Sequence, residues 1–121
     1  MAVRSFVVTA NPPTQDYDGI TVGTWAGLAK TTDDTGDPVA LPNRADRTVQ
    51  VVGTFGTGGN VRIEGSIDGA NYAVLTDPQG NALDITAAKI ESISEVVRYI
   101  RPRVTAGDVT TSLAVSILLK R

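Results

Sequence analysis

Asp33, Asp34 and Asp37 bring three carboxylates into the five residues of "DDTGD". Oxygen ligands at that density suit calcium, but neither the spacing of an EF-hand loop nor its closing bidentate glutamate is present. The stretch therefore reads as a solvated acidic loop, and no metal site is assigned. "RYIRPR", Arg98 to Arg103, gathers three arginines around Tyr99. On a strand, alternation sends Tyr99, Arg101 and Arg103 to one face and Arg98 and Ile100 to the other. Arginine beside an aromatic ring is the chemistry of protein–protein contact. It also holds phosphate or sugar. The competing reading is a salt-bridged sheet face with Glu64, Glu91 or Glu95 as partners, and the sequence does not separate the two. Asp68, Asn71 and Asp77, with Tyr72 or Trp25 as a stacking platform, would make a sugar site. With one Trp and three Tyr in the chain, the favoured reading is plainer: Asp68-Gly69 is a tight turn and Tyr72 lies at the edge of a core.

The chain has no histidine and no cysteine. The usual general base near neutral pH, the commonest metal ligand, thiolate nucleophiles and disulfides are all missing. No Ser–base pair, P-loop or dinucleotide fingerprint is present. The chain thus reads as a non-enzyme without cofactor. A net charge of −2 from 11 basic and 13 acidic residues argues against nucleic acid. No apolar run reaches membrane-spanning length, and "MAVRSFVVTANPP" is too short an apolar stretch for a signal peptide. The expectation is a protein that stays in the compartment where it is made.

These side chains need elements to hold them. The length of 121 residues fits one domain. From Arg47 onward, apolar residues alternate. Val49, Val51 and Phe55 share one face of "TVQVVGTF". Val61, Ile63 and Ile67 share one face of "VRIEGSI", with Arg62, Glu64 and Ser66 opposite. Leu113, Val115, Ile117 and Leu119 stand together in "LAVSILL". Period-two alternation with β-branched residues predicts strands with one buried face. "GTGGN", Gly56 to Asn60, predicts a hairpin between the first two. Gly65–Gly80 predicts a second hairpin and turn. Ile85–Val96 carries both a helical spacing and β-branched content, the latter favouring an irregular strand. Short strands with turns between them predict an all-β domain, an antiparallel β-sandwich or a barrel. Residues 1–46 differ from the sandwich core expected over 47–121. Val3–Val8 and Ile20–Leu28 can be strands, but Pro12, Pro13, Pro38 and Pro42 interrupt regular ladders. This predicts an extended, loop-rich N-terminal segment in which Asn11–Asp18 and Lys30–Asp46 reach a neighbouring subunit, with Trp25 as an apolar anchor. The alternative places both strands in the sandwich and Trp25 in its core.

"VRIEGSIDGANYAVLTDPQGNAL" followed by "RYIRPRV" resembles small tailed-bacteriophage head decoration (cement) proteins over Val49 to Leu119. "GSIDGANY" with "RYIR" is also similar to discoidin-type jelly rolls, whose cysteines and aromatic loops are absent here. The first resemblance implies a jelly-roll-like β-sandwich and a virion structural role. Such a protein is made in the host cytoplasm, binds the major capsid protein on the outside of the shell and bridges its subunits, as a homo-oligomer, a trimer. From the charge balance and the short apolar runs, no nucleic-acid or membrane partner is expected. Under that reading the candidate interface is Tyr17, Trp25, Tyr99, Arg101 and Arg103. The reading from another class is a carbohydrate-binding module of a phage tail or a secreted protein.

Overall fold

A computed structural model describes residues 2–8, 20–40 and 42–121. Among these there is no helix, and the chain forms eleven strands in two sheets. β1 (Val3–Arg4), β4 (Thr35–Gly36), β10 (Tyr99–Arg103), β6 (Val61–Ser66) and β7 (Ala73–Val74) follow one another across the first sheet, and β8 (Asp84–Ile85) also pairs with β6. The second sheet runs β2 (Phe6–Val8), β3 (Ile20–Ala29), β11 (Ser112–Lys120), β5 (Asp46–Thr54) and β9 (Lys89–Ser92). All pairings are antiparallel except β1 with β4. From β3 to β6 each strand joins the sheet opposite its predecessor. The paths β3-β11-β5-β9 and β4-β10-β6-β7 are thus interleaved, the chain alternating between the two layers of a sandwich.

The core lies between the inward faces of the two sheets. Val49, Val51, Val61, Ile63, Leu113, Val115 and Ile117, expected inside from their alternation, are all buried, as is Leu119. Ile85–Val96 contains β9 and no helix, and Ile93 closes the core behind it. The hairpin at Gly65–Gly80 also forms: Gly65 pairs with Ala73 and Glu64 with Val74.

Four expectations need correction. "GTGGN" is not a hairpin. β5 pairs with β11 and β9, whereas β6 pairs with β10, β7 and β8, so Gly56–Asn60 carries the chain from one sheet to the other. Asn60 fixes that crossing: its side-chain oxygen accepts from the Thr105 and Ala106 amides at 3.1 and 2.9 Å. Ile67 does not share the buried face of Ile63. It lies past the end of β6 and is 74% exposed.

The sandwich is also not confined to residues 47–121. β3 is ten residues long and runs between β2 and β11, and Val39 exchanges backbone hydrogen bonds with Ile100. Trp25 and Leu28 are both fully buried although their odd spacing would put them on opposite faces of a regular strand. A bulge supplies the missing residue: Leu113 pairs with Leu28 and Val115 with Trp25, so Ala114 faces both Ala26 and Gly27. Gly27 takes φ +68°, the left-handed conformation that such a bulge asks of a glycine. Finally, the acidic loop is not wholly solvated, because Asp34 is completely buried. Asn11–Asp18 lies outside the described residues.

Candidate functional site

The tip of the β6–β7 hairpin is built around one carboxylate. Asp68 accepts from the Ala70 and Asn71 amides at 2.9 and 2.8 Å, from Ser66 Oγ at 2.9 Å and from Asn71 Nδ2 at 2.8 Å. The Asn71 and Ala70 amides, then the side chains of Asn71 and Ser66, hold its pKa far below the carboxylate range. Asp68 is thus spent on the turn. Gly69, at φ +78°, completes it, and a Cβ there would stand 3.1 Å from the Tyr99 ring.

The hairpin has two sides. On the outer side the Arg101 guanidinium lies 3.8 Å from the centroid of the Tyr72 ring, and its Nε is 3.1 Å from Glu64 Oε1. Arg103 Nη1 approaches Glu64 Oε2 at 3.9 Å. Arg98 lies 5.3 Å from the Tyr99 ring centre. Ile100 and Pro102, the alternate residues of β10, are buried. Tyr99, Arg101 and Arg103 therefore share one outward face, and Glu64, almost wholly buried, is the acid that pairs with both arginines. Under the other side runs an open groove of about 430 Å³, with Ile67, Ala73, Leu75 and Val97 as its apolar lining.

Of the candidate interface residues, the structure brings Tyr99, Arg101 and Arg103 together. Trp25 is completely buried and presents nothing to a partner. Tyr17 lies outside the described residues. The sequence left Tyr72 at a core edge; that it stacks under Arg101 follows from the register of β7 and β10 on either side of β6, which the sequence does not display. A sugar platform does not form here. One face of Tyr72 is covered by Arg101, Trp25 is inside, and Asp77 is buried in its own turn, accepting from the Gln79 and Asn81 amides at 3.0 and 2.9 Å. Among the described residues no three acidic groups gather into a metal site.

A second carboxylate clasp holds the far end of the sandwich. Asp108 accepts from the amides of Thr57 and Thr110, both at 2.8 Å, and from Thr110 Oγ1 at 2.6 Å. The Thr110 hydroxyl, then the Thr57 and Thr110 amides, lower its pKa to about 2. Because Asp68 and Asp108 both titrate lower folded than unfolded, their contribution is complete above the unfolded value of about 4 and is lost as pH falls towards their folded values. Thermal unfolding followed against pH is expected to show an acid limb starting near pH 4, and Asp108→Asn is expected to flatten it between about pH 4 and pH 2. A variant with the wild-type acid slope would refute the clasp.

The class of molecule these features define is a small all-β sandwich with an aromatic–arginine surface at one hairpin. Among solved structures, the crystal structure of the SPBc2 prophage-derived protein YomS has the same fold. It superposes with a TM-score of 0.62 at 11% identity, covering 88% of this chain and 99% of that one. No protein-family model matches the chain, and no curated protein matches it in sequence.

Proposed function

We propose that the chain is a virion structural protein, a decoration protein that binds the outer surface of a tailed-phage head and bridges capsid subunits. The observation that carries this reading is the aromatic–arginine face of the β6–β7 hairpin: Tyr72, Tyr99, Arg101 and Arg103 outside, and an open apolar groove beneath. Arginine and tyrosine are enriched at protein interfaces and prominent among their energetic anchors. Here Glu64 and the Tyr72 ring already fix Arg101, so less side-chain entropy is lost on docking. Binding only to assembled shells stabilises them by mass action. The fold shared with a prophage-derived protein supports a phage role. No feature of the site favours the carbohydrate reading.

Co-sedimentation with heads of the same phage that lack the chain tests the proposal. Wild type is expected to bind, and Tyr72→Ala and Arg103→Ala are each expected to weaken binding by roughly tenfold or more, the scale of an interface anchor. Failure of the folded wild-type chain to bind shells would reject the capsid reading. Full binding by both variants would move the contact away from this hairpin.

A further inference from the structure

The outer face of the second sheet has a character opposite to that of the first. Register aligns Val7, Thr24, Ser116, Gln50 and Ile90 in one row across all five strands. The next row is Val22, Leu118, Thr48 and Ser92. Neither row contains a charge. On their other side Ala114 stands opposite Val52. Val7, Val52, Ile90 and Leu118 are exposed at 57, 46, 61 and 39%. A depression of about 240 Å³ lies among Val22, Thr48, Gln50, Ile90, Ser116 and Leu118. The outer face of the first sheet, by contrast, carries Arg62, Asp84, Glu64, Arg101 and Arg103. Beyond the Leu118 row the neutral face ends in a charged pair, Lys120 directly opposite Asp46 on the adjoining strand.

We propose that a second copy of the chain docks on this neutral face, the two copies related by a twofold axis that lies in the interface, parallel to the strands and between β5 and β11. Rotation about that axis keeps height along the strands and exchanges β5 with β11. Lys120 then stands over Asp46 of the second copy, and Asp46 over its Lys120. Leu118 stands over the other copy's Thr48, which borders the depression. An axis across the strands would instead lay the charged end on the Ala114–Val52 end and strip water from both charges while bringing neither a partner from the second copy. The occupant follows from the same charge logic. A partner covering this face must itself be uncharged across the width of the sheet, or bury unpaired charge. The chain has such a face, and Asp46 with Lys120 makes it self-complementary, as an isologous contact requires. Stacking with strands nearly aligned is an ordinary packing of two sheets. This twofold contact is independent of what the β6–β7 hairpin binds and differs from the trimer that the decoration-protein resemblance implies.

Sedimentation equilibrium of the full chain, with circular dichroism as the control for folding, tests it. Wild type is expected to weigh twice the 12.7 kDa monomer. Leu118→Arg is expected to be a folded monomer. Asp46→Lys and Lys120→Asp are each expected to raise the dissociation constant several-fold, and the double reversal to restore it. That recovery would not follow from a merely structural role, and it remains informative if Leu118→Arg fails to fold. A wild type that stays monomeric at every concentration, an oligomer that ignores the charge reversals, or a trimer would overturn the proposal.

Discussion

Trp25→Ala is expected to lower the free energy of unfolding by about 3–5 kcal/mol, the range for truncating a fully buried aromatic ring. A domain of this size has about 5–15 kcal/mol in total, so the substitution removes a large share of its stability. Trp25 joins more of the molecule than its own sheet. Its ring meets Phe6 at 4.7 Å, its Nε1 donates to the Asp37 carbonyl at 2.8 Å, and its Cδ1 lies against Gly36, where an added Cβ would come within 2.6 Å. Phe6 in turn lies flat over Gly23, so the cavity left by alanine would loosen β2 as well as the core. Trp25→Phe keeps most of the apolar volume and loses only the indole donor to the Asp37 carbonyl, so a smaller loss is expected. Denaturant melts of the three proteins read both effects, and the single tryptophan reports its own environment. Native emission should be that of an indole removed from water and should shift to the red on unfolding. A loss under about 1 kcal/mol for Trp25→Ala would be that of a surface side chain and would revive the arm-anchor reading of the N-terminal half.

What alternation can show, the sequence displayed well. β5 and β11 each bury one face against the core, so the parity of Val49 and Val51, and of Leu113 to Leu119, was sufficient. β6 was half legible. Its inward residues Val61 and Ile63 were clear, but Glu64 and Ser66 looked solvent-facing and are buried, because Arg101 and the Asp68 turn cover them. "GTGGN" misled for a general reason. Glycines announce that the chain turns, while the sheet that the next strand joins is set by partners far away, here β10 for β6 and β11 for β5. Trp25 and Leu28 were hidden by their odd spacing, since a bulge shifts parity at a point that only Gly27 marks. The candidate site at the β6–β7 hairpin was legible in part. The face of β10 followed from alternation, but Tyr72 under Arg101 depends on strands β7 and β10 flanking β6, which no local pattern contains. The neutral outer face of the second sheet was visible as uncharged outward positions in β5 and β11, yet its width needed the register of five strands.

The buried carboxylate of the "DDTGD" turn carries the second large effect. Asp34 accepts from the Ala29 amide at 3.0 Å, from Arg4 Nε at 2.6 Å and from the Thr32 hydroxyl. Burial pushes its pKa up, but the donors from Thr32, Ala29 and Arg4 more than offset this, and the net shift is downward. The turn itself is tight: Asp33 takes φ +46°, a conformation that aspartate tolerates better than most residues. Asp34→Ala would leave the Ala29 amide unpaired and release Arg4. An orphaned buried donor together with lost charge-assisted bonds amounts to about 2–4 kcal/mol, discounted because Arg4 is partly exposed and regains water. The damage should be local first. β1 is held by Ala2 and Arg4 carbonyls that accept from the Thr35 and Asp37 amides at 2.9 and 2.7 Å, and Arg4 is the side chain that ties this strand to the turn. Hydrogen exchange at Thr35 and Asp37 is therefore expected to accelerate in Asp34→Ala well beyond exchange in β5, which pairs only with β11 and β9. The pH dependence has the sign of a depressed carboxylate. The stabilisation from Asp34 is complete above about pH 4 and fades as the solution is acidified, so wild type and Asp34→Asn should converge in stability at low pH. A constant gap between them down to the lowest pH at which both fold would assign the loss to packing and remove the carboxylate from the account.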